Sequence, residues 1–387
     1  MSSPPAHLLP IVEQIRAAVS RGAPLRIRGG GSKDFYGQTL QGDVLDTSTL
    51  NQVVNYEPSE LVVTVQAGAR LATLEALLAE QGQCLPFEPP HFGGDFGDGL
   101  ATVGGMVASG LSGPARATVG GVRDYVLGLE LINGRADVLR FGGTVMKNVA
   151  GYDVSRLMVG AMGTLGLITE LSLKVLPMAP AEATLRFEMD EATALRQLNT
   201  WAGKPLPLNA SSWLVDGGVP TLYLRLRGAV AAVQSACAGF VAQHGAVRVD
   251  SPQTSADWRA ARDLQLPWFV AGFARGDTLW RISVPGTAGP LNVGDTLIDW
   301  LGGQRWVWVA PGDTGLPERV MNAAQQAGGH AVEFRAAAGL HADNGVVPLR
   351  RHAPRPLPAA TWQIHQRLKN EFDPANIFNR GRLFSNP

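Results

Sequence analysis

Arg28-Gly29-Gly30-Gly31-Ser32-Lys33 follows the short apolar piece Leu25-Arg26-Ile27 and precedes the aromatic pair Phe35-Tyr36. Three consecutive glycines let a backbone turn tightly and approach a ligand with no Cβ in the way. Their N–H groups can converge on one anion, and Ser32 and Lys33 add a hydroxyl donor and a positive charge. The stretch has neither the G-x-x-x-x-G-K-[ST] spacing of a Walker loop nor G-x-G-x-x-G on a strand-to-helix turn. Taken alone it has two readings: a phosphate cradle at the end of a strand, or a glycine-rich surface loop with a solvated lysine.

Three further blocks bear on that choice. The second is Gly99-Leu100-Ala101-Thr102-Val103-Gly104-Gly105-Met106-Val107-Ala108-Ser109-Gly110, in which Thr102 and Ser109 offer hydroxyls and Gly104 and Gly105 offer open N–H groups. The third begins at Gly142-Gly143 and includes Met146-Lys147-Asn148-Val149-Ala150-Gly151-Tyr152-Asp153, and the fourth is Gly160-Ala161-Met162-Gly163-Thr164-Leu165-Gly166. Flexible linkers are poor in apolar residues, but these glycines are interleaved with Val, Leu, Met and Ile. Four such blocks imply one long ligand lying against several backbone segments, and a dinucleotide with an apolar ring system is the natural candidate.

The chain has 387 residues, 45% of them hydrophobic, and a formal net charge of zero. That length suits two or three domains with real cores. The charge balance supplies no field to draw nucleic acid or an anionic membrane surface. Cys84 and Cys237 are the only cysteines and have no metal or redox spacing, which suits a reducing cytosol. No secretory pattern opens the chain and no window is long and apolar enough to span a bilayer. The expectation is a soluble cytoplasmic protein, with any approach to the inner membrane made through partners.

Periodicity predicts a helix over residues 11–19, strands at 25–28, 44–46 and 61–66, and a helix over 71–80 ended by Gly82. These make a first β/α unit of about 85 residues. Strands at 126–132 and 135–141 are read as a hairpin turned by Asn133-Gly134. Asp153 is read as a helix N-cap, and 167–176 as a long strand. Pro177-Met178-Ala179-Pro180 marks a domain boundary. From 183 to 249 the order β-α-β-β-α-β is ferredoxin-like, and further strands and a helix follow to 335. Eight of nine tryptophans lie between Trp201 and Trp308, which reads as core filling. Residues 341–358 are Pro- and Arg-rich, 360–371 form a last helix, and 373–384 a compact tail.

On these residues, 25–177 resembles the flavin-adenine-dinucleotide (FAD) binding domain of the vanillyl-alcohol oxidase, or PCMH, type. The tail Leu368-Lys369-Asn370-Glu371-Phe372-Asp373-Pro374-Ala375-Asn376-Ile377-Phe378-Asn379 resembles the end of D-2-hydroxyacid dehydrogenases. The block from Met146 to Asp153, with no metal motif, is most similar to the FAD-binding E subunits of bacterial glycolate oxidases. The resemblance implies an α+β chain: a PCMH-type FAD-binding domain over 1–177 in two α/β subdomains (about 1–85 and 86–177), a ferredoxin-like α+β cap over 181–350, and a segment 356–387 returning to the FAD domain. It implies that Arg28, Gly29, Gly30, Gly31, Ser32 and Lys33 hold the FAD pyrophosphate and that Thr102, Gly104, Gly105 and Ser109 line its other side. Gly151, Asp153 and Ile168 would lie against the adenosine and ribitol portions, and Asn376 and Asn379 near the flavin end.

Departures from the family pattern carry their own implications. Many relatives place a histidine where Ser32 stands and bond it to the flavin, which serine cannot do, so FAD would be non-covalent. The His-x-Gly-Asp-Gly-Asn-x-His run of catalytic relatives is reduced to His341-Ala342-Asp343-Asn344-Gly345, and His330, His341 and His352 are too scattered for a metal site. An apolar Met162 replaces a common acidic residue. Asp95 and Asp98 read as turn residues, His91 as a loop residue, and Arg350, Arg351 and Arg355 as a carboxylate clamp or a solvated loop. No catalytic residue is assigned. The implied role is the FAD-binding subunit of a glycolate oxidase complex, taking a small 2-hydroxy acid to its 2-oxo acid with a sister FAD-binding subunit and an iron–sulfur subunit. The alternatives are a non-catalytic flavin-binding assembly subunit and a stand-alone D-2-hydroxyacid dehydrogenase.

Overall fold

The computed structural model describes residues 4–38, 41–93, 100–144, 152–249, 253–336 and 357–383. Helix α1 (Leu9–Arg21) buries Ile11, Val12, Ile15 and Ala18, the three-and-four spacing of one helix face, and closes at Gly22 with φ 62°. It covers the parallel pair β1 (Leu25–Arg28) and β2 (Asp43–Asp46). Then follow β3 (Val53–Glu57), β4 (Val62–Gln66), α2 (Leu71–Glu80), β5 (Gln83–Cys84), α3 (Val103–Ser109), α4 (Arg116–Val119), β6 (Val126–Ile132), β7 (Val138–Gly142), α5 (Val154–Leu157), β8 (Leu167–Lys174) and β9 (Leu176–Pro177).

β3-β4-β8-β6-β7 form an antiparallel five-stranded sheet. Strands from both sides of residue 85 therefore share one sheet, and the subdomain seam expected near 85 is not a seam of that sheet. β3 leaves no signal in the sequence because it is an edge strand: Val53 and Val54 are exposed, so no buried alternation marks it.

A second correction concerns Asn133-Gly134. Ile132 pairs with Val138, so the loop spans 133–137 and is not a two-residue turn. The residue with positive φ is Ala136, at 61°. Gly134 serves close approach instead: its N–H donates to the Phe372 carbonyl at 2.8 Å, and a Cβ there would lie 2.4 Å from Asp373 Oδ1.

The second unit holds β10 (Ala181–Glu188), α6 (Glu191–Ala202), β11 (Leu208–Asp216), β12 (Val219–Gly228), α7 (Val230–His244), β13 (Val247–Val249), α8 (Thr254–Arg262), α9 (Pro267–Ala274), β14 (Thr278–Ser283), β15 (Thr296–Asp299), β16 (Gln304–Val309), α10 (Leu316–Gln326) and β17 (His330–Arg335). Its strands form one eight-stranded sheet, β13-β10-β12-β11-β15-β16-β14-β17, antiparallel throughout. The first half has the ferredoxin-like order 4-1-3-2. The second half repeats that order in reverse, with a loop in place of the first helix, and the two join edge to edge at β11 and β15.

Side chains alternate cleanly across this sheet. Leu222, Leu224 and Leu226 face α6 and α7, while Trp280, Ile282 and Val307 face α10. Tyr223, Arg225, Leu279, Arg281, Trp306 and Phe334 face the first unit. The tryptophans are core: Trp201, Trp213, Trp258, Trp280, Trp306 and Trp308 are all buried.

α11 (Ala359–Phe372) returns the chain to the first unit, and the tail after it runs beside β1 with a parallel bridge at Leu25 and Phe378.

Candidate cofactor site

β1 delivers residues 28–33 to the floor of an open cleft. The loop is held down from below. Gly30 lies against the 100–102 segment so closely that a Cβ would stand 1.5 Å from the Leu100 carbonyl oxygen. Gly31 then turns with φ 76°. α3 forms one wall: Thr102 caps it, its Oγ1 accepting the Gly105 N–H at 3.2 Å. Gly105 faces open space, since a Cβ there would meet only that same Thr102 oxygen. The opposite wall is the turn 160–166 and the start of β8. The turn fastens to α3 through Gly160 N–H to Val107 O at 3.0 Å and Met162 N–H to Ala108 O at 2.8 Å.

The cleft therefore brings together Arg28, Gly29, Gly30, Gly31, Ser32, Lys33, Thr102, Gly104, Gly105, Ser109, Ile168 and Asn379. Not all their polar atoms are free for a ligand. Ser109 Oγ donates to Met106 O at 3.0 Å, and Arg28 Nε donates to Asp34 Oδ2 at 2.8 Å in an exposed pair. Ser32 is buried, and its Oγ accepts from Lys33 Nζ at 3.3 Å.

Lys33 stands where the two units meet, 5.5 Å from the centroid of the Phe92 ring. Burial lowers its pKa to about 8, with Asp263 pulling upward and Arg262 downward. At neutral pH it remains mostly cationic.

The tail closes the cleft. Asn379 N–H donates to Leu25 O at 2.9 Å, its Oδ1 accepts the Ile27 N–H at 2.8 Å, and its Nδ2 donates to Met162 O at 2.6 Å. One amide thus ties β1 to the 160–166 turn. Arg382, which the sequence did not single out, donates to the Lys33, Asp34 and Gln38 carbonyls and holds the turn after the glycines. Below them, Lys369 Nζ donates to Asp373 Oδ2 at 2.7 Å, to Thr164 O and to Phe378 O, while Asp373 accepts the Ile377 and Phe378 N–H groups. Burial lowers the Lys369 pKa and Asp373 opposes that.

Two of the expected residues lie elsewhere. Asp153 caps α5, accepting the Arg156 N–H at 3.0 Å and pairing with the Arg156 side chain, because a short helix start needs that acceptor. Asn376 occupies a left-handed turn (φ 47°) between α11 and the bridge to β1, its N–H on Asp373 O, and does not line the cleft. Gly151, Lys147, Asp95, Asp98, His341, His352, Arg350, Arg351 and Arg355 lie outside the described residues. His91 is a loop residue, its Nε2 2.8 Å from Glu75 Oε2. Among the described residues no three His, Cys, Asp or Glu side chains gather as a metal site. No helix among them is long and apolar enough to cross a membrane.

An FAD binding domain model matches residues 5–154. The chain is 40% identical over 376 residues to the glycolate oxidase subunit GlcE of Escherichia coli (strain K12), covering 97% of each chain. It is 35% identical over 188 residues to the glycolate oxidase subunit GlcD of Bacillus subtilis (strain 168), covering 48% of this chain and 39% of that one. Among solved structures, alkyldihydroxyacetonephosphate synthase superposes with a TM-score of 0.64 at 14% identity, over 95% of this chain and 73% of that one, which shows a shared fold. With identity of this degree along nearly its whole length, the chain belongs to the family of the glycolate oxidase subunit GlcE, built on an FAD binding domain.

Proposed function

We propose that the cleft holds FAD without a covalent bond, and that the chain works as the flavin-carrying partner in oxidation of glycolate or a similar 2-hydroxy acid. The observation that carries this is the convergence of three separate glycine-rich segments and the Asn379 tail on one elongated cleft. Small residues at Ala67, Gly105 and Ala108 leave room for a ligand lying along the wall, and Ile27, Leu167 and Ile168 supply apolar contact; Gly104 is small to admit Ala67, whose carbonyl accepts its N–H at 2.7 Å. Backbone N–H groups of the loop after β1 and the Lys33 ammonium would meet the pyrophosphate charge. Ser32 would add a hydroxyl but has no nitrogen to bond to a ring carbon. When bound, the flavin supplies a hydride acceptor and a donor of single electrons.

The chain's own contribution is to hold that ring system at the seam of the two units, where Phe92, Phe334 and Trp306 exclude water. In this proposal electrons pass to a sister FAD-binding subunit and an iron–sulfur subunit; this chain has two cysteines, too few for a four-thiolate cluster of its own.

Acid precipitation of the purified yellow protein tests the cofactor mode: all flavin is expected in the supernatant, and colour kept in the pellet contradicts the role given to Ser32. Anaerobic addition of glycolate tests the division of labour. Flavin bleaching only when partner subunits are present supports it, and bleaching of the isolated chain assigns turnover to this chain alone.

A further inference from the structure

Glu88-Pro89-Pro90-His91-Phe92 runs along the seam and is fastened to the second unit at both ends. One end is Glu88. Its Oε1 accepts from Arg225 Nη2 at 2.8 Å and Arg227 Nη1 at 2.9 Å. Its Oε2 accepts from Arg225 Nη2 at 2.6 Å and, within the first unit, from the Ala115 N–H at 3.2 Å. The other end is held by Asp263, which closes α8. Asp263 Oδ1 accepts the His91 N–H at 2.8 Å and the Phe92 N–H at 3.4 Å, while its Oδ2 accepts from Arg262 Nη2 at 2.7 Å. The His91 ring reaches back to the first unit, at Glu75.

Glu88 and Phe92 both have left-handed backbone, with φ 48° and 52°. Side chains of this size rarely adopt that conformation and keep it only where neighbours hold them. Pro89 and Pro90 fix φ between the two bends. The segment is thus stiff, bent at each end and pinned by two carboxylates. Simple packing needs no such strain, because a relaxed loop can cover apolar surface. What the bends deliver is Phe92. Its ring is buried, 5.4 Å from the Phe35 centroid and 6.4 Å from that of Phe334, and Lys33 Nζ stands 5.5 Å from its own centroid. Burial lowers the Lys33 pKa, and Asp263 is the carboxylate that opposes this. One carboxylate of the second unit therefore holds the segment and bears on the ammonium of the glycine loop.

We propose that residues 88–92 are a strap through which the second unit sets the position and surroundings of Lys33, with Glu88 and Asp263 as the positioning residues. The inference rests on the reading that the cleft holds FAD, and adds that the flavin's surroundings are fixed partly from outside the FAD binding domain. An ammonium beside a cofactor favours negative charge there. When its ring cover and counter-charge shift, the absorbance and reduction potential of the flavin shift with them. A strap that served folding alone would leave both untouched.

The full chain, with and without FAD, provides the test. In flavin-free protein, acetic anhydride labelling of Lys33 is read by mass spectrometry, beside hydrogen exchange of the 88–92 amides. Asp263→Ala removes both acceptor and charge; Glu88→Gln loosens the other end and leaves Asp263 in place. Each should raise Lys33 labelling and 88–92 exchange at least about tenfold, the scale of losing a hydrogen bond to a charged group. In FAD-loaded protein, Asp263→Ala should move the flavin absorbance and potential. Asp263→Asn, which keeps the acceptor and loses the charge, should keep 88–92 protected and still move the potential. The proposal is overturned if Lys33 labelling in Asp263→Ala and Glu88→Gln matches the wild type, or if both variants load FAD with wild-type absorbance and potential. Should Glu88→Gln not fold, the two Asp263 variants decide alone. A wild type that takes up no FAD sinks the flavin reading instead, and the labelling of Lys33 still decides the strap.

Discussion

The cleft and the seam between the two units are made in opposite ways. The cleft is built of backbone: glycines, carbonyls and N–H groups, with few committed side chains. The seam is built of side chains: arginines and aromatics projecting from strands whose own backbone groups are spent in the sheet. A backbone site suits a large ligand that always has the same shape. A seam of side chains can be retuned by one substitution.

The sharpest way to break this contrast is Gly30→Ala. Its Cβ would meet the Leu100 carbonyl at 1.5 Å, so the floor of the cleft has to move. The variant should purify without flavin, as absorbance will show; full flavin content would mean that the loop is not held by packing.

Next in size is Lys369→Met, which leaves Asp373 buried beneath the tail without its cation. Losing one partner of a buried pair costs about 3–5 kcal/mol. A lower denaturant midpoint is expected, with weaker FAD binding, because Asn379 and Arg382 hang from the same tail. Unchanged flavin affinity at lower stability would separate the tail from the cleft.

Gly105→Ala is milder. The new methyl meets only Thr102 Oγ1, at 3.1 Å, so the fold should keep its melting temperature. FAD affinity should fall roughly tenfold, the scale of crowding a packed contact with one methyl, as fluorescence titration will show. Wild-type affinity would mean that the ligand does not approach this wall.

The smallest effect belongs to Lys33. Folding depresses its pKa from 10.5 to about 8, so folding disfavours the protonated form. In flavin-free protein, stability should therefore rise as pH goes from about 8 to 10.5, and Lys33→Met should flatten that rise in a chemical denaturation series. Phosphate beside Lys33 restores its charge, so loading FAD should also flatten it.

Much of the cleft could be read in the chain because glycine is a local signal. Residues 28–33, Thr102, Gly104, Gly105, Ser109 and Ile168 converge as their blocks suggested, and Asn379 joins them from the tail. What misled were residues with two uses. Asp153 can cap a helix or touch a ligand, and its local use is the one found. Asn133-Gly134 reads as a tight turn, but Gly134 is small to admit Asp373, a constraint that no neighbouring residue announces. The seam was invisible for a related reason. Arg225 and Glu88 are 137 residues apart, and Arg281 and Tyr36 are 245 apart. Which residues meet across the seam is a property of the pairing of the sheet, and pairing is settled by topology.

The bridge between Leu25 and Phe378 also says when the protein becomes itself. Asn379 completes the wall of a site begun 352 residues earlier, at Ile27. A ribosome adding about 5–20 residues per second needs roughly twenty seconds to a minute to travel that far. Until it does, the first unit lacks the amide that ties β1 to the 160–166 turn. Loading waits on the tail, so a chain truncated before Asn379 would be a colourless one.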